Sequence, residues 1–487
     1  MHAREDEVSD GDRPIPRRSF VGRSVVGAGV IAGLGALEAD RAAEGAPYAA
    51  AAISKGGPLW ESEEGAAGPM VGHVGSREAR LWLRPAPDAT RACRWRCRVT
   101  ETGERADGQG APIEAEAAPD PDHDWTVVLD LVGLRPATGY RAELEPIGLA
   151  DAAVAAARME ATFATAPETN AARVVLGLGS CAPSVPDPIW TQVVDEGCEG
   201  FVLLGDTPYI DDDRLAVARE KHRAFLVQPE IARMIRSMPV WGTWDDHDFG
   251  RNDGHGDFPG KHVARLAFTE YRANATFGQD RDGRPQRDRF GEARGIHTSF
   301  RRGPVEVFLL DPRWFSRTAP SWADSAQPTC LGAAQWAWLR EALRASTATF
   351  KLLATGMIWD DKGNPEKDDW HTYRHERDAI LDLVRDERIA GVVLIGGDIH
   401  VSRALRYRDR VGYDLWQFIT SPMHGSTIPS LDVPHPDLVH HAVEPHVFLR
   451  LAVDGTVDDP SLEAEWIGRE GRRIFSVSLR ASALAPR

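Results

Sequence analysis

Cysteine is scarce: the 487 residues hold five, namely Cys93, Cys97, Cys181, Cys198 and Cys330. The number is odd and the spacing gives no zinc ribbon or finger. Cys93 and Cys97 stand four apart in RACRWRCRV, which reads as a strand. There they share a face but sit too far apart for a disulfide. A disulfide framework is therefore not expected. Basic charge is also short, with 57 Lys and Arg against 73 Asp and Glu and a formal net charge of −16. Duplex nucleic acid is held mainly by Lys and Arg on its phosphates, so the balance argues against a nucleic-acid-binding surface. It does not argue against a small phosphate ester, because bound cations supply local positive charge. No apolar run has the length of a membrane-spanning helix, and no short-period repeat marks a solenoid. Neither a G-x-S-x-G elbow nor a Walker P-loop is present, so no protein nucleophile of those kinds is expected. What is present is a globular composition, 42% apolar and 27% charged with 15 Trp, in a chain long enough for two or more cores.

The first 45 residues read as an export signal and linker. Arg17, Arg18, Ser19, Phe20 and Val21 form a twin-arginine start, followed by a mildly apolar Gly- and Ala-rich stretch to Leu37 and then small residues. This order of charge, apolar stretch and small residues belongs to targeting, not to the fold; the bland alternative is a basic tail. The signal implies the twin-arginine export machinery as a partner and a periplasmic or secreted destination, with no transmembrane anchor.

Residues 65–167 read as a small β-sandwich domain, because short alternating strands recur between turn signals. LRPATGY resembles a turn of fibronectin-III-like domains, with Tyr140 packed on the core. ADAAVAAARM reads as a loop or insert. Over residues 172–487 the pattern changes to apolar strands alternating with helical segments such as RLAVAREKHRAFLVQPEIARMIRSM and AAQWAWLREALRAS, then to late strands in DLWQFITSP, VFLRLAVD, SLEAEWIG and IFSVSLR. Alternation of this kind predicts an α/β domain with largely parallel sheets.

Several apolar runs end in metal-competent residues: VVLGLGSC at Cys181, FVLLGD at Asp206, PVWGTWDDHD at Asp245, Asp246, His247 and Asp248, and GVVLIGGDIH at Asp398 and His400. Short apolar runs read as buried strands, and open α/β sheets bind ligands at the carboxyl ends of their strands. Together these residues predict one metal centre. Asp206 suits a bridging carboxylate, since its two oxygens can bind two cations; alone, a strand-end Asp is as readily a turn cap. Cys181 suits a thiolate ligand, against the ordinary reading of a small buried hydrophobe. Asp398 and His400 share a face if extended. VEVFLLD, ending at Asp311, is weaker, and LLATGMIWDD offers Asp360 and Asp361, which could approach a second ion or simply be exposed.

GDTPY (205–209), WDDHD (244–248) and GGDIH (396–400), with GSC upstream, resemble the metallophosphatase motifs as they occur in the PhoD-like alkaline phosphatase family of the calcineurin-like phosphoesterase superfamily. The twin-arginine start and the N-terminal β domain resemble that family too. The resemblance implies a four-layer αββα metallophosphatase domain behind the β-sandwich. It implies ferric iron on Cys181, Tyr209 and His400, calcium on Asp246 and Asp398, and Asp206 between them. His247 would face the phosphate as oxyanion stabiliser or proton donor, with Asp248 orienting it or holding the loop. Asn252 and Asp253 would hold a second calcium or form a turn. Trp370 would roof the substrate, although DDWHTYRHERDAILDLV reads more simply as the start of a helix with its stripe at Ala379, Ile380, Leu383 and Val384. Apart from the resemblance, His424 follows FITSPM near another strand end, where it could support the ligands, although a lone histidine is more often structural.

The expected activity is hydrolysis of a small-molecule phosphoester, as alkaline phosphatase or phosphodiesterase, with a metal-bridging hydroxide attacking phosphorus. The alternatives are a phospholipase-type or otherwise restricted phosphodiesterase and a non-catalytic surface protein stabilised by metal.

Overall fold

The computed structural model describes residues 65–102, 112–280, 282–360 and 362–487; the expected export signal at 1–45 and Asp361 lie outside the described residues. Among the described residues no helix is long and apolar enough to cross a membrane.

The first strands are β1 (Ala67–Val74), β2 (Glu78–Arg84), β3 (Trp95–Thr102), β4 (Ile113–Ala117), β5 (Val127–Val132), β6 (Gly139–Pro146) and β7 (Met159–Ala164). They form two antiparallel sheets, ordered β1-β2-β5 and β4-β3-β6-β7. Alternate residues such as Leu81 and Leu83, Cys97 and Val99, and Leu129 and Leu131 fill the core between them. Tyr140 packs there as expected, and its hydroxyl accepts a 2.9 Å bond from the Arg135 N–H, the corner that closes such sandwiches. ADAAVAAARM is not a loop: Asp151–Ala157 is a short helix, in keeping with the high helix propensity of its alanines.

The larger part contains β8 (Arg173–Gly179), β9 (Phe201–Leu204), β10 (Val240–Thr243), β11 (Thr298–Arg302), β12 (Val305–Leu309), β13 (Phe350–Ala354), β14 (Val392–Gly396), β15 (Ser402–Tyr407), β16 (Leu415–Ile419), β17 (Leu438–Ala442), β18 (Phe448–Asp454), β19 (Ser461–Ile467) and β20 (Arg473–Arg480). One sheet has the order β10-β9-β8-β18-β19-β20 and the other β11-β12-β13-β14-β16-β15-β17. β8, β9 and β10 run parallel, as do β12, β13, β14 and β16. Burial on both faces explains the continuous apolar runs. In β9, Val202 and Leu204 join the central core with Leu352 and Leu394. Phe201 and Leu203 join a second cluster with Trp190, Phe225 and Ile231, from helices Ile189–Asp195, Leu215–Leu226 and Pro229–Ile235. Helices Gly332–Ala345 and Arg374–Asp386 pack on the other sheet through Leu339, Leu343, Ile380 and Val384. The result is the expected four-layer α/β arrangement.

The stripe expected on Arg374–Asp386 is shifted. Ile380, Leu381 and Val384 are buried, and so is Glu376. Glu376 tolerates burial because its carboxylate accepts bonds from the hydroxyls of Ser321 and Thr329, each at 2.6 Å, and from the N–H groups of Cys330 and Leu331 at 3.0 and 2.9 Å.

Candidate metal centre

Each parallel strand stops at the same edge of its sheet, and the next residues turn sharply across it. Cys181, Asp206, Asp398 and His400 all hold left-handed backbone, with φ of 54°, 55°, 69° and 52°. Such conformations cost non-glycine residues about 1–3 kcal/mol each and gather at functional sites. The turns are tied together: the Cys181 N–H donates to Gly205 O at 3.3 Å, and the His424 N–H to Cys181 O at 3.0 Å. Gly205 and Gly356 hem in Asp245, since a Cβ on either would meet the Asp245 side chain at 2.5 Å. Asp398 and His400 are not extended. β14 ends at Gly396, and the His400 N–H bonds back to Asp398 O at 2.9 Å, so a tight turn rather than strand alternation brings the two side chains to one site.

One ligand atom from each of Cys181, Asp206 and His400 falls within a 4.8 Å cluster. The Tyr209 hydroxyl joins it, 3.1 Å from Nε2 of His400 and 3.1 Å from Nε2 of His424. Nδ1 of His424 accepts the Ser426 N–H at 3.0 Å, which fixes the proton on Nε2 and makes His424 a donor to Tyr209. Asp206 is shared with a second group, Asp206, Asp246 and His247. Asp246 is shared in turn with Asp245 and Asp398, and with Asp253 and Asp368. The six expected ligands and His247 thus converge.

His247 Nδ1 lies 2.5 Å from Asp211 Oδ1, so Asp211 and not Asp248 orients the ring. Asp248 belongs to the capping box of the one-turn helix Asp246–Phe249, where its side chain receives the Asp245 N–H. Asp253 enters the acidic group, whereas Asn252 is exposed. Asp360 is held elsewhere, 2.7 Å from the Tyr407 hydroxyl and 3.2 Å from His435. Trp370 is fully buried and stacked on Trp359 at 4.6 Å, so it forms core and no roof. Asp311 accepts bonds from Trp244 Nε1 and three backbone N–H groups, which accounts for its place outside the cluster.

Arg313 and Lys362 also lie inside this acidic region. Arg313, 1% exposed, bonds Asp245 through Nε at 2.7 Å, Asp368 through Nη2 at 3.1 Å and Gly254 O at 3.2 Å. The Lys362 ammonium is 2.6 Å from Asp398 and 3.3 Å from Asp368. Arg313, Lys362, Asp211 and Asp368 were not apparent as site residues from sequence. Their one local trace is a basic residue beside acidic strand-end or loop runs, in LLDPR and DDKG.

The electrostatics call for further positive charge. Burial pushes the Asp206 carboxyl well above its usual range, with Asp246, Asp248 and Asp398 adding to the rise against His247. Burial and then the Asp206 charge raise the Cys181 thiol, and burial with Cys181 and Asp206 raises the Tyr209 phenol. Burial also carries Asp248 to about 7 and Asp398 to about 6, the latter opposed by Lys362. Burial works against charge on His247, but Asp246, Asp211 and Asp206 outweigh it and raise the imidazolium to about 11. Asp206 Oδ1 is buried with no hydrogen-bond partner. A multiply charged cation reverses each of these penalties on the acids, the thiol and the phenol, so the donor set fits metal.

Known proteins resemble this chain in sequence and in fold. Over 206 residues the chain is 26% identical to alkaline phosphatase D of Bacillus subtilis (strain 168), a match that takes in 38% of this chain and 35% of that protein, about a third of the relative's length. A solved structure of PhoD superposes with a TM-score of 0.65 at 17% identity, over 87% of this chain and 90% of that one, a likeness of fold. Residues 189–452, more than half of the sequence and holding Asp206, Tyr209, Asp246, His247, Asp398 and His400, match the model of the PhoD-like phosphatases, and the chain belongs to that family.

Proposed function

We propose that the chain is an exported metal-dependent phosphoester hydrolase, acting on phosphomonoesters, phosphodiesters or both. The observation that carries the reading is the sharing of Asp206 between two groups of metal-competent side chains. Cys181, Tyr209 and His400 offer thiolate, phenolate and imidazole, a set suited to ferric iron. Asp246 and Asp398 offer oxygen alone, a set suited to a hard divalent ion such as calcium. Asp206 spans the two. Ions bound there supply Lewis acidity toward phosphoryl oxygens and activate water.

The chain's own residues do the rest. His424 holds the Tyr209 oxygen by donating to it. Asp211 holds Nδ1 of His247 and leaves Nε2 for substrate. The His247 side chain is 23% exposed, so substrate can reach the site, whereas a purely structural metal site is closed. The carboxylates around His247, with Asp211 directly on Nδ1, favour the imidazolium. It therefore stabilises phosphoryl charge and gives its proton to the departing alkoxide.

The test is His247→Gln, assayed on mono- and diesters with alkyl and with nitrophenyl leaving groups. Alkyl esters need the proton, so their turnover falls about 10²–10⁴-fold; nitrophenyl esters leave as stable anions and lose far less. Equal losses on both limit His247 to charge stabilisation. No phosphoester hydrolysis by the ion-loaded wild type contradicts the proposed function itself.

A further inference from the structure

Lys362 has no counterpart among the expected ligands, yet it sits at the centre of the oxygen-rich half. Its side chain is 4% exposed, with the ammonium 2.6 Å from Asp398 Oδ2, 3.3 Å from Asp368 Oδ2 and 3.7 Å from Glu366. Asp398 groups with Asp245 and Asp246, and Asp368 groups with Asp246 and Asp253. One ammonium therefore engages a carboxylate from each of two potential cation sites.

Arg313 and Lys362 differ in kind. Arg313 is a planar fork fixed at once to Asp245, Asp368 and the Gly254 carbonyl. Lys362 is a point charge on a flexible four-carbon stem, able to swing without breaking a bidentate lock. A hard divalent ion needs several oxygens at close range. It cannot take Asp398 while an ammonium rests on the same carboxylate, because like charges at that separation repel strongly away from bulk water.

We propose that Lys362 is a resident counter-cation that a divalent ion must displace from Asp398 and Asp368, so that this lysine sets the affinity of the oxygen-rich half of the centre. The proposal rests on the metal-dependent reading above. The ligand it concerns is a hard divalent cation, and its role is positioning: Lys362 holds the acids in place before the ion arrives and yields them to it.

Calcium titrated calorimetrically into the chelator-stripped full chain provides the test. Lys362→Met should bind calcium about tenfold more tightly than wild type, whereas Lys362→Arg, which keeps the charge, stays near the wild-type value. Arg344→Gln, which removes a charge at the exposed Glu387 pair, should leave the affinity unchanged and so exclude a general charge effect. A second measurement uses only the wild-type chain: acylation of Lys362, followed by mass spectrometry, should accelerate several-fold when calcium is added. Unchanged affinity in Lys362→Met, or unchanged labelling of Lys362, overturns the proposal and leaves the metal reading standing. Absence of saturable calcium binding by every chain overturns the proposal together with the assignment of calcium to the oxygen-rich half.

Discussion

Replacing Asp206 by Asn lowers phosphoester hydrolysis by about 10³-fold or more, while the ion-stripped variant stays at least as stable as wild type. The two halves of this result have one cause. Asp206 belongs both to the sulfur-containing group and to the group of Asp246 and His247, and Asp246 in turn belongs to the oxygen-only groups, so the loss of Asp206 weakens both halves. In the absence of ions it is a burden: buried, with one oxygen unpartnered and its ionisation opposed by neighbouring carboxylates. A neutral amide of the same shape removes that burden. Function and stability therefore move in opposite directions, as expected where an active site carries strain that the rest of the fold offsets. Assays with and without added ions, together with urea denaturation of the stripped chains, read both quantities. A variant that loses activity only because it unfolds would contradict the assignment of Asp206 to the centre.

Arg313→Met has the largest expected effect on stability, a loss of about 3–5 kcal/mol in the ion-stripped chain. The arginine is buried between Asp245 and Asp368. Truncating it leaves two buried carboxylates without their shared partner, and the penalty is that of uncompensated buried charge rather than of a lost attraction. Burial pushes the Asp368 carboxyl up, and in the wild type Arg313, with Lys362 assisting, outweighs it and holds the group well below the usual carboxylate range, so the arginine is the main cause of its charge. Calcium should restore part of the loss, because an added cation can neutralise the same carboxylates. Arg313→Lys should fall between, since an ammonium cannot fork to both. Urea midpoints with and without calcium give the measurement. A loss below about 1 kcal/mol, the scale of surface pairs, would show that the pairing contributes little.

Much of this site is legible in the sequence because its ligands lie within five residues of the end of a buried strand. β8, β9, β10 and β14 are apolar on both faces, and the chain changes character where each ends. What holds the ligands is less legible, because it comes from far along the chain. Asp211 lies 36 residues from His247, Arg313 68 from Asp245, and His424 215 from Tyr209; no local periodicity links such pairs. Asp248 illustrates an ambiguity of spacing. An acid beside a histidine suits an orienting role, but three residues after Asp245 it equally completes a capping box, and the backbone donors win. Asp398 and His400 reach the site by a left-handed turn that the residue pattern, taken as strand, does not reveal. Trp370 reads as a pocket wall until Trp359, eleven residues earlier in the chain, is seen stacked on it.

The measurement that bears most directly on the two-part centre is elemental analysis of the purified chain, paired with its visible absorption. Iron and calcium should both be present in stoichiometric amounts in the wild type. A phenolate-to-iron absorption band should accompany the iron and vanish in Tyr209→Phe, and both metals should be depleted in Asp206→Asn. A wild-type chain that hydrolyses phosphoesters at full rate with no stoichiometric metal bound would contradict the account at its centre.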